Sequence, residues 1–517
     1  PVSASPSPTT TVAIRSGLSN TAPKACRTIY YILGEKMANI IRQYLTEQKY
    51  TTVSDETYSH IDEWLDWYQG DVPNFHTYTV YNGITSTKQK RYRLGMAKKV
   101  CEDWANLLLN EKVSIKAGNY DQRLNDILAQ NNFRVRGNQI IELAFALGTA
   151  AFVEYMDSHK NVIIDFVRAD MIYPLSWDNG DITECAFGST RVLNGKEVVY
   201  LQIHRKGKAS EDMDEEPPED PELYYIENKY IDAESGKELD PPDDVLPLIE
   251  TGYDRPLFQI ITPNIYNNID LDSPLGISVY ANSISQLKGC DLVYDSYMHE
   301  FVLGRKRILV PITMAKKMME KDGISAPSFD PNDTVYYLMP NDSREDAKPE
   351  QVDMSIRAQE HELGIQRSLD ILSLKVGMGT GRYQFNASGV KTATEVISDK
   401  SDLYQNRQRN AIIIGSALVR MAQAVALLDQ GIDQLDVTVD FDDSIIEDTN
   451  TTIDRNIKLV QAGLRSKLSA IMEINKCDEA TAQKEMERIA EDGQITGQDI
   501  DWTQDDTGRG DENGDDV

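Results

Sequence analysis

The densest group of residues able to do chemistry is the carboxylate run DFDDSIIEDT at 440–449. Asp440, Asp442 and Asp443 together could hold Mg²⁺ or Ca²⁺, as a metal-dependent nuclease requires. The run lacks the glycine of a calcium-binding loop, and its twelfth position is Thr451 rather than Glu. A strand end followed by solvated acids is the simpler account, so no bound metal and no cofactor is expected. HELGI at 361–365 starts like a zinc-protease helix, but residue 365 is Ile where the second imidazole would stand. NGKE at 194–197 and SGKE at 235–238 lack the hydroxyl residue and the glycine spacing of a phosphate-cradling loop. The six histidines show no ligand spacing, and no G-x-S-x-G occurs. The chain therefore reads as a non-enzyme, with a packaging enzyme or nuclease built on the aspartates as the alternative.

A second group is mechanical rather than catalytic. Gly377, Gly379, Gly381 and Gly389 punctuate VGMGTGRYQFNASGVKTATEV, which carries Arg382, Tyr383, Gln384, Phe385 and Lys391 between its glycines and beyond them. Glycine lets such a loop change shape at low steric cost. Thr392 and Glu395 have capping-box spacing, so a long helix is expected to start there. About 37 residues follow without proline, which at 1.5 Å per residue is roughly 55 Å.

The elements that must position this loop can be read on either side. IDEWLDWYQ at 61–69, RLGMAKKVCEDWANLLLNEK at 93–112 and RVRGNQIIELAFALGTAAF at 134–152 have helical spacing, and residues 29–148 read as mostly helical. AFVEYM and VIIDFV flank SHKN, ECAFGSTRV and KEVVYLQIH flank LNG, and LYYIEN and KYIDAE precede SGKELD; residues 150–262 read as strands. The acidic excursion EDMDEEPPEDPE at 211–222 reads as a solvated loop. Ser273-Pro274 has the chemistry of a helix start, which predicts a helix reaching Leu303. A segment of short strands follows, with Asp353 as the predicted cap of a helix ending at Gly377. Leu435, Val437, Val439 and Phe441 alternate as one face of a strand, and residues 450–495 are helical again.

The 517 residues suffice for two to four domains. The formal net charge of -30 makes long-range attraction to nucleic acid or anionic membranes unfavourable. The five cysteines at 26, 101, 185, 290 and 477 are widely spaced and read as reduced thiols. PVSASPSPTTTV lacks the basic start and apolar core of a secretory leader, and runs such as AIIIGSAL at 411–418 read as too short to span a bilayer. No membrane contact is expected.

The order of these elements resembles the portal proteins of tailed bacteriophages, in particular those of long-tailed phages of Gram-positive hosts. RYRLGMAKKVCEDWANLLLNEKVSI at 91–115 is similar to that family's N-terminal helix, and TATEVISDKSDLYQNRQRNAI at 392–412 to the helix after its tunnel loop. The resemblance spans 29–495 and implies an α+β portal fold. By it, 1–28 is a disordered tail and 29–272 the wing, helical and then β-rich, joined by the strand at 435–442. Residues 273–303 and 354–377 are the stem helices, 304–353 the small α/β clip and 378–391 the tunnel loop. Residues 392–445 hold the long helix and the wing strand, 446–495 the helical crown, and 496–517 an acidic disordered tail.

The resemblance further implies a ring of such chains, twelve-fold in the virion, at one capsid vertex. Double-stranded DNA passes through it for packaging and ejection, with terminase, head-completion or adaptor proteins, and major capsid and scaffolding proteins as partners. Such a protein resides in the virion, and in host cytoplasm during assembly. On this reading Gly379, Gly381, Arg382, Tyr383, Gln384, Phe385 and Lys391 face DNA from the tunnel loop. For Tyr383 and Phe385, packing between neighbouring loops is an equal reading. Arg305, Lys306, Arg307, Lys316 and Lys317 mark the clip's partner surface, although the first three also suit a helix C-terminus. Lys288, Arg357 and Arg367 lie in the stem channel, and Asp291 is among the polar residues of a channel-lining helix.

Overall fold

The computed structural model describes residues 38–495 except 82, 158, 194, 208–218, 243–244, 305–306, 312–335, 340–349, 353–354, 385–392, 442–448, 476 and 478. Two units are distinguished: residues up to 387 together with Asp402–Phe441, and Ser388–Ser401 with the residues from Asp442 onward.

The first unit begins with helix α1 (38–47) and α2 (Asp55–Gln69). Ser54 caps α2, its Oγ accepting from the Thr57 N–H, and Gly70 closes it in the left-handed region. A hairpin of β1 (Thr77–Tyr81) and β2 (Ser86–Lys90) follows. It interrupts the stretch expected to be mostly helical, and Asn82-Gly83 is its turn signal. Next come α3 (Met96–Leu108), β3 (Ser114–Lys116), α4 (Asp121–Gln130) and α5 (Phe133–Leu147). The helix predicted over 134–152 ends at 147, because Gly148 turns the chain at φ +83°. A Cβ at Gly148 would stand 2.4 Å from the Gly276 carbonyl oxygen, so two backbones meet there at a distance no other residue allows.

Residues 150–152 instead open β4 (Ala150–Met156), which pairs with β5 (Val162–Arg168) across the expected SHKN turn. A second sheet holds β6 (Ile172–Asp178), β7 (Asp181–Leu193), β8 (Lys196–Lys206) and β9 (Tyr224–Asp232) in sequence order. LYYIEN and KYIDAE, read as two strands, form the single strand β9, whose outer edge takes β10 (Glu238–Leu239) and β11 (Leu248–Glu250). β12 (Phe258–Ile261) returns to pair with β4. On β4, Glu154 is fully buried with neither carboxyl oxygen bonded to another residue among the described residues. Burial raises its pKa to about 8.

The helix expected from Ser273 starts only at Ile284: α6 spans Ile284–Leu303. Residues 273–280 run as a strap into a 3-10 turn at Ala281–Ser283, with the Val279 N–H on the Phe145 carbonyl (2.9 Å) and the Gly276 N–H on Thr149 Oγ1 (3.0 Å). The first bond satisfies a carbonyl in the last turn of α5 and the second ties the strap to the chain just beyond it; together they outweigh the local helix-start chemistry of Ser273-Pro274. β13 (Arg307–Pro311) then pairs parallel with β14 (Tyr336–Met339) and antiparallel with β15 (Glu350–Val352). α7 (Ala358–Lys375) follows; Asp353, its expected cap, lies outside the described residues.

The long helix α8 runs Ala393–Gln430, 38 residues against the 37 expected. Within the first unit it buries Leu403, Ile414, Leu418, Met421 and Val425. Arg407 Nε donates to the Leu107 carbonyl (3.0 Å), and Arg420 Nε to Gln259 Oε1 (3.0 Å). One helix thus ties α3 to the sheet of β12. Contrary to the expectation from AIIIGSAL, Asp402–Gln430 is long and apolar enough to cross a membrane by length and composition. Of its apolar window 56% is buried within the fold, as in a core helix. β16 (Thr438–Asp440) pairs with β3, and burial alternates through Leu435, Val437, Val439 and Phe441 as the sequence pattern predicts.

The second unit holds α9 (Thr449–Gln461), α10 (Lys467–Asn475) and α11 (Glu479–Ile495). Glu473 on α10 accepts both Arg455 (2.5 Å) and Arg465.

Candidate functional site

The candidate site is built on α6 and α7, which pack antiparallel. Glu300, in the last turn of α6, accepts a bond from Arg357 Nε (3.1 Å) at the start of α7, and His361 Nε2 stands 3.4 Å away. The Arg357 bond holds the Glu300 carboxyl below its usual pKa. Further along, Gly364 lets Val293 of α6 approach; a Cβ there would be 3.3 Å from Val293 Cγ1. Arg357, expected in a channel, is thus a closing bond of the pair. Arg367 is exposed and reaches Asp370 at 3.6 Å, and Lys288 is half-buried on α6.

Asp291 corrects the sequence reading. Instead of lining a polar helix face it is 5% exposed, bonded to His76 Nε2 at 3.0 Å and to the Leu94 N–H at 2.7 Å. One turn along α6, Asp295 accepts the Tyr92 N–H at 2.8 Å and stands 3.6 Å from Arg91 Nε. Sequence spacing could not reveal this, because the partners lie some 200 residues earlier.

α7 ends against α3, where Trp104 Nε1 donates to the Val376 carbonyl at 3.1 Å. Gly377, at φ +80°, turns the chain, and Asn406 Nδ2 of α8 binds its carbonyl at 3.0 Å. Ser373 Oγ donates to the Gly379 carbonyl (2.6 Å), and Gln366 Nε2 to the Tyr383 carbonyl (3.0 Å). Residues 378–384 are therefore folded back along α7. Gly379 and Gly381 both have positive φ, and Gln384 is exposed.

Arg382 stands 3.7 Å from Asp103 of α3, which also takes Lys99 at 2.8 Å. Tyr383 is not an exposed tip. Its ring packs on the core of its own chain, and burial beside Asp103 pushes its pKa well up. Asp103 went unnoticed in the sequence because Lys99 and Asp103, four apart, look like a solvated helix pair. Phe385 and Lys391 lie outside the described residues, as do Arg305, Lys306, Lys316 and Lys317; Arg307 opens β13 opposite Val352. Asp440 is bonded to Lys116 at 2.6 Å, while Asp442 and Asp443 lie outside the described residues. Among the described residues no cluster of His, Cys, Asp and Glu could hold a metal.

A body of helix and sheet, an antiparallel helix pair, a small three-stranded sheet between them, a glycine-turned loop and a very long helix define a portal-type α+β fold. The family model described as phage portal protein, SPP1 Gp6-like, matches residues 47–498, and the chain belongs to that family. Among solved structures, the virion of a native gene transfer agent particle is similar, with 11% identity over 74% of this chain and 89% of that one and a TM-score of 0.36. So is the neck of a native gene transfer agent particle computed with C12 symmetry, with 12% identity, the same coverages and a TM-score of 0.35. A comparison with curated proteins gives no match.

Proposed function

We propose that this chain assembles into a closed ring of about twelve copies, the portal at one capsid vertex, through which double-stranded DNA is packaged and later ejected. Membership of the phage portal family over 47–498 is the observation that carries this reading. The charge supports it. Phosphate contacts from Lys and Arg dominate protein–DNA affinity, and a conduit built of chains at -30 each holds its cargo loosely. The clip, with Arg305, Lys306, Arg307, Lys316 and Lys317, would be the docking surface for terminase during packaging and for head-completion proteins afterwards. Scaffolding and major capsid proteins would surround the ring, in host cytoplasm during assembly and in the virion thereafter; a long-tailed phage of a Gram-positive host is the proposed source. The tunnel loop would meet DNA through Phe385 and Lys391, with 378–384 as its anchored base. No catalysis is assigned to the chain. The nuclease alternative weakens because Asp440 already serves Lys116.

Negative-stain electron microscopy with a mass measurement on the same sample tests the ring: closed particles with a central hole are expected, and a monodisperse monomer would overturn it. Deleting 379–390 is expected to leave rings that package or retain DNA poorly. Normal packaging by that deletion would remove the loop from the mechanism.

A further inference from the structure

The β1–β2 hairpin is joined by no third strand among the described residues. A lone two-stranded hairpin is at best marginally stable in water, yet this one has a carefully fixed base. The Arg91 N–H binds the His76 carbonyl at 2.8 Å, and the Arg91 guanidinium lies 4.4 Å above the Phe75 ring and 4.6 Å above the Tyr78 ring. Asp295 and Asp291 of α6 hold the Tyr92 and Leu94 N–H groups just beyond it, as described above. The base is rigid while the blade stands in solvent. Tyr81 is 67% and Ile84 86% exposed at its end, which is apolar area of the kind that marks a docking surface.

The blade is also charged against the trend of the chain. STKQKRYR at 86–93 carries Lys88, Lys90, Arg91 and Arg93 and no carboxylate, in a chain of net charge -30. Register places Lys88 opposite Thr79 and Lys90 opposite Thr77, so both lysines share the outer face with Tyr81. Neither lysine has an ion pair among the described residues. The matching acids sit on α2, where Glu63 is exposed, Asp66 is half-buried, and neither has a cation partner among the described residues. Burial, and after it the neighbouring Asp62, Asp71 and Glu63, raise the Asp66 pKa to about 6. Arg91 and Arg93 are engaged within the chain, against Asp295 and the Gln69 carbonyl at the end of α2, but among the described residues Lys88 and Lys90 form no ion pair with Glu63 or Asp66.

We propose that the β1–β2 hairpin docks on the α2 acidic face of a second copy of this chain, Lys88 and Lys90 meeting Glu63 and Asp66. The inference rests on the ring reading above and adds a contact to it. Hairpin-to-α2 is a head-to-tail contact, which closes into a ring when the rotation per subunit divides the circle. Between chains that repel overall, local opposite charges set register and partner choice.

The test uses two full-length variants, Lys88→Glu/Lys90→Glu and Glu63→Lys/Asp66→Asn, with circular dichroism to show that both stay folded. Mass photometry is expected to show the ring fraction falling at least tenfold for each variant alone. Equal mixing is expected to restore rings, because each reversed hairpin then faces a reversed α2. Rings formed by both variants as readily as by wild type overturn the contact while leaving the ring reading intact. So does a failure of mixing to restore them. Unchanged rings with tenfold weaker binding of a duplex DNA probe by the hairpin variant would overturn it in favour of DNA. A wild-type chain that stays monomeric overturns the ring reading, and this contact with it.

Discussion

Helices α5 and α7 are of similar length, 15 and 18 residues, but they are finished differently. α5 buries Phe133, Ile140, Ile141, Phe145 and Leu147 within its own chain. α7 buries Ile365, Leu369 and Leu372, yet leaves Leu363 60%, Ile371 54% and Leu374 54% exposed. The first is enclosed by its own chain. The second presents an apolar stripe that no described residue covers. On the proposed ring reading, the difference separates core that the chain closes by itself from surface left for a neighbouring copy: substitutions in α5 should unfold the chain, and those on the α7 stripe should leave it folded.

The comparison can be broken in three places. Phe145→Ala should cost about 3–5 kcal/mol, since it empties a site stacked on Trp104 at 5.4 Å and closed on all sides. A denaturant midpoint close to wild type would show that α5 is less enclosed than described. Glu154→Gln should sharpen the contrast through pH. The native carboxyl keeps its proton to about 8, whereas the unfolded one loses it near 4.5. The unfolded state therefore binds fewer protons between those values, and wild-type stability should fall as pH rises through the window and level off above 8. The glutamine variant should lack that slope, so its stability relative to wild type should rise by on the order of 4 kcal/mol between pH 4.5 and pH 8. Parallel melting-against-pH curves would count against it. Ile371→Ser/Leu374→Ser should change the stability of the chain by no more than about 0.5 kcal/mol while lowering the ring fraction. A large loss of stability would place these residues in the monomer's own core.

How much of this could be read beforehand varies with the range of the interaction. The 38-residue helix, the β4–β5 and β7–β8 hairpins and the alternation to Phe441 follow from local spacing, and the structure has them where the residues imply. Helix ends were harder. Gly148 and the 273–280 strap are decided by two backbones meeting, a contact between residues over 100 positions apart. The β1–β2 hairpin has its local signal in Asn82-Gly83, which the helical segments on both sides outweigh. At the candidate site the glycines and the loop were visible. Asp103 and Glu300 were not, because a carboxylate that waits for a distant arginine looks like any surface acid until the chain has folded.

The two carboxylates of α6 that grip the hairpin base have a consequence for length. Asp291 and Asp295 are four residues apart on a helix, which is about 6.0 Å; Leu94 and Tyr92 are two apart on extended chain, about 6.6 Å. The two spacings agree as the divisions of a vernier do, so both bonds form at one register and at no neighbouring one. Adding or removing a single residue between 92 and 94, or between 291 and 295, breaks that match, so that one bond can form only at the expense of the other. With Asp291 and Asp295 kept, variants of this chain can change the side chains at 92 and 94, which offer only backbone N–H groups, far more freely than they can change length.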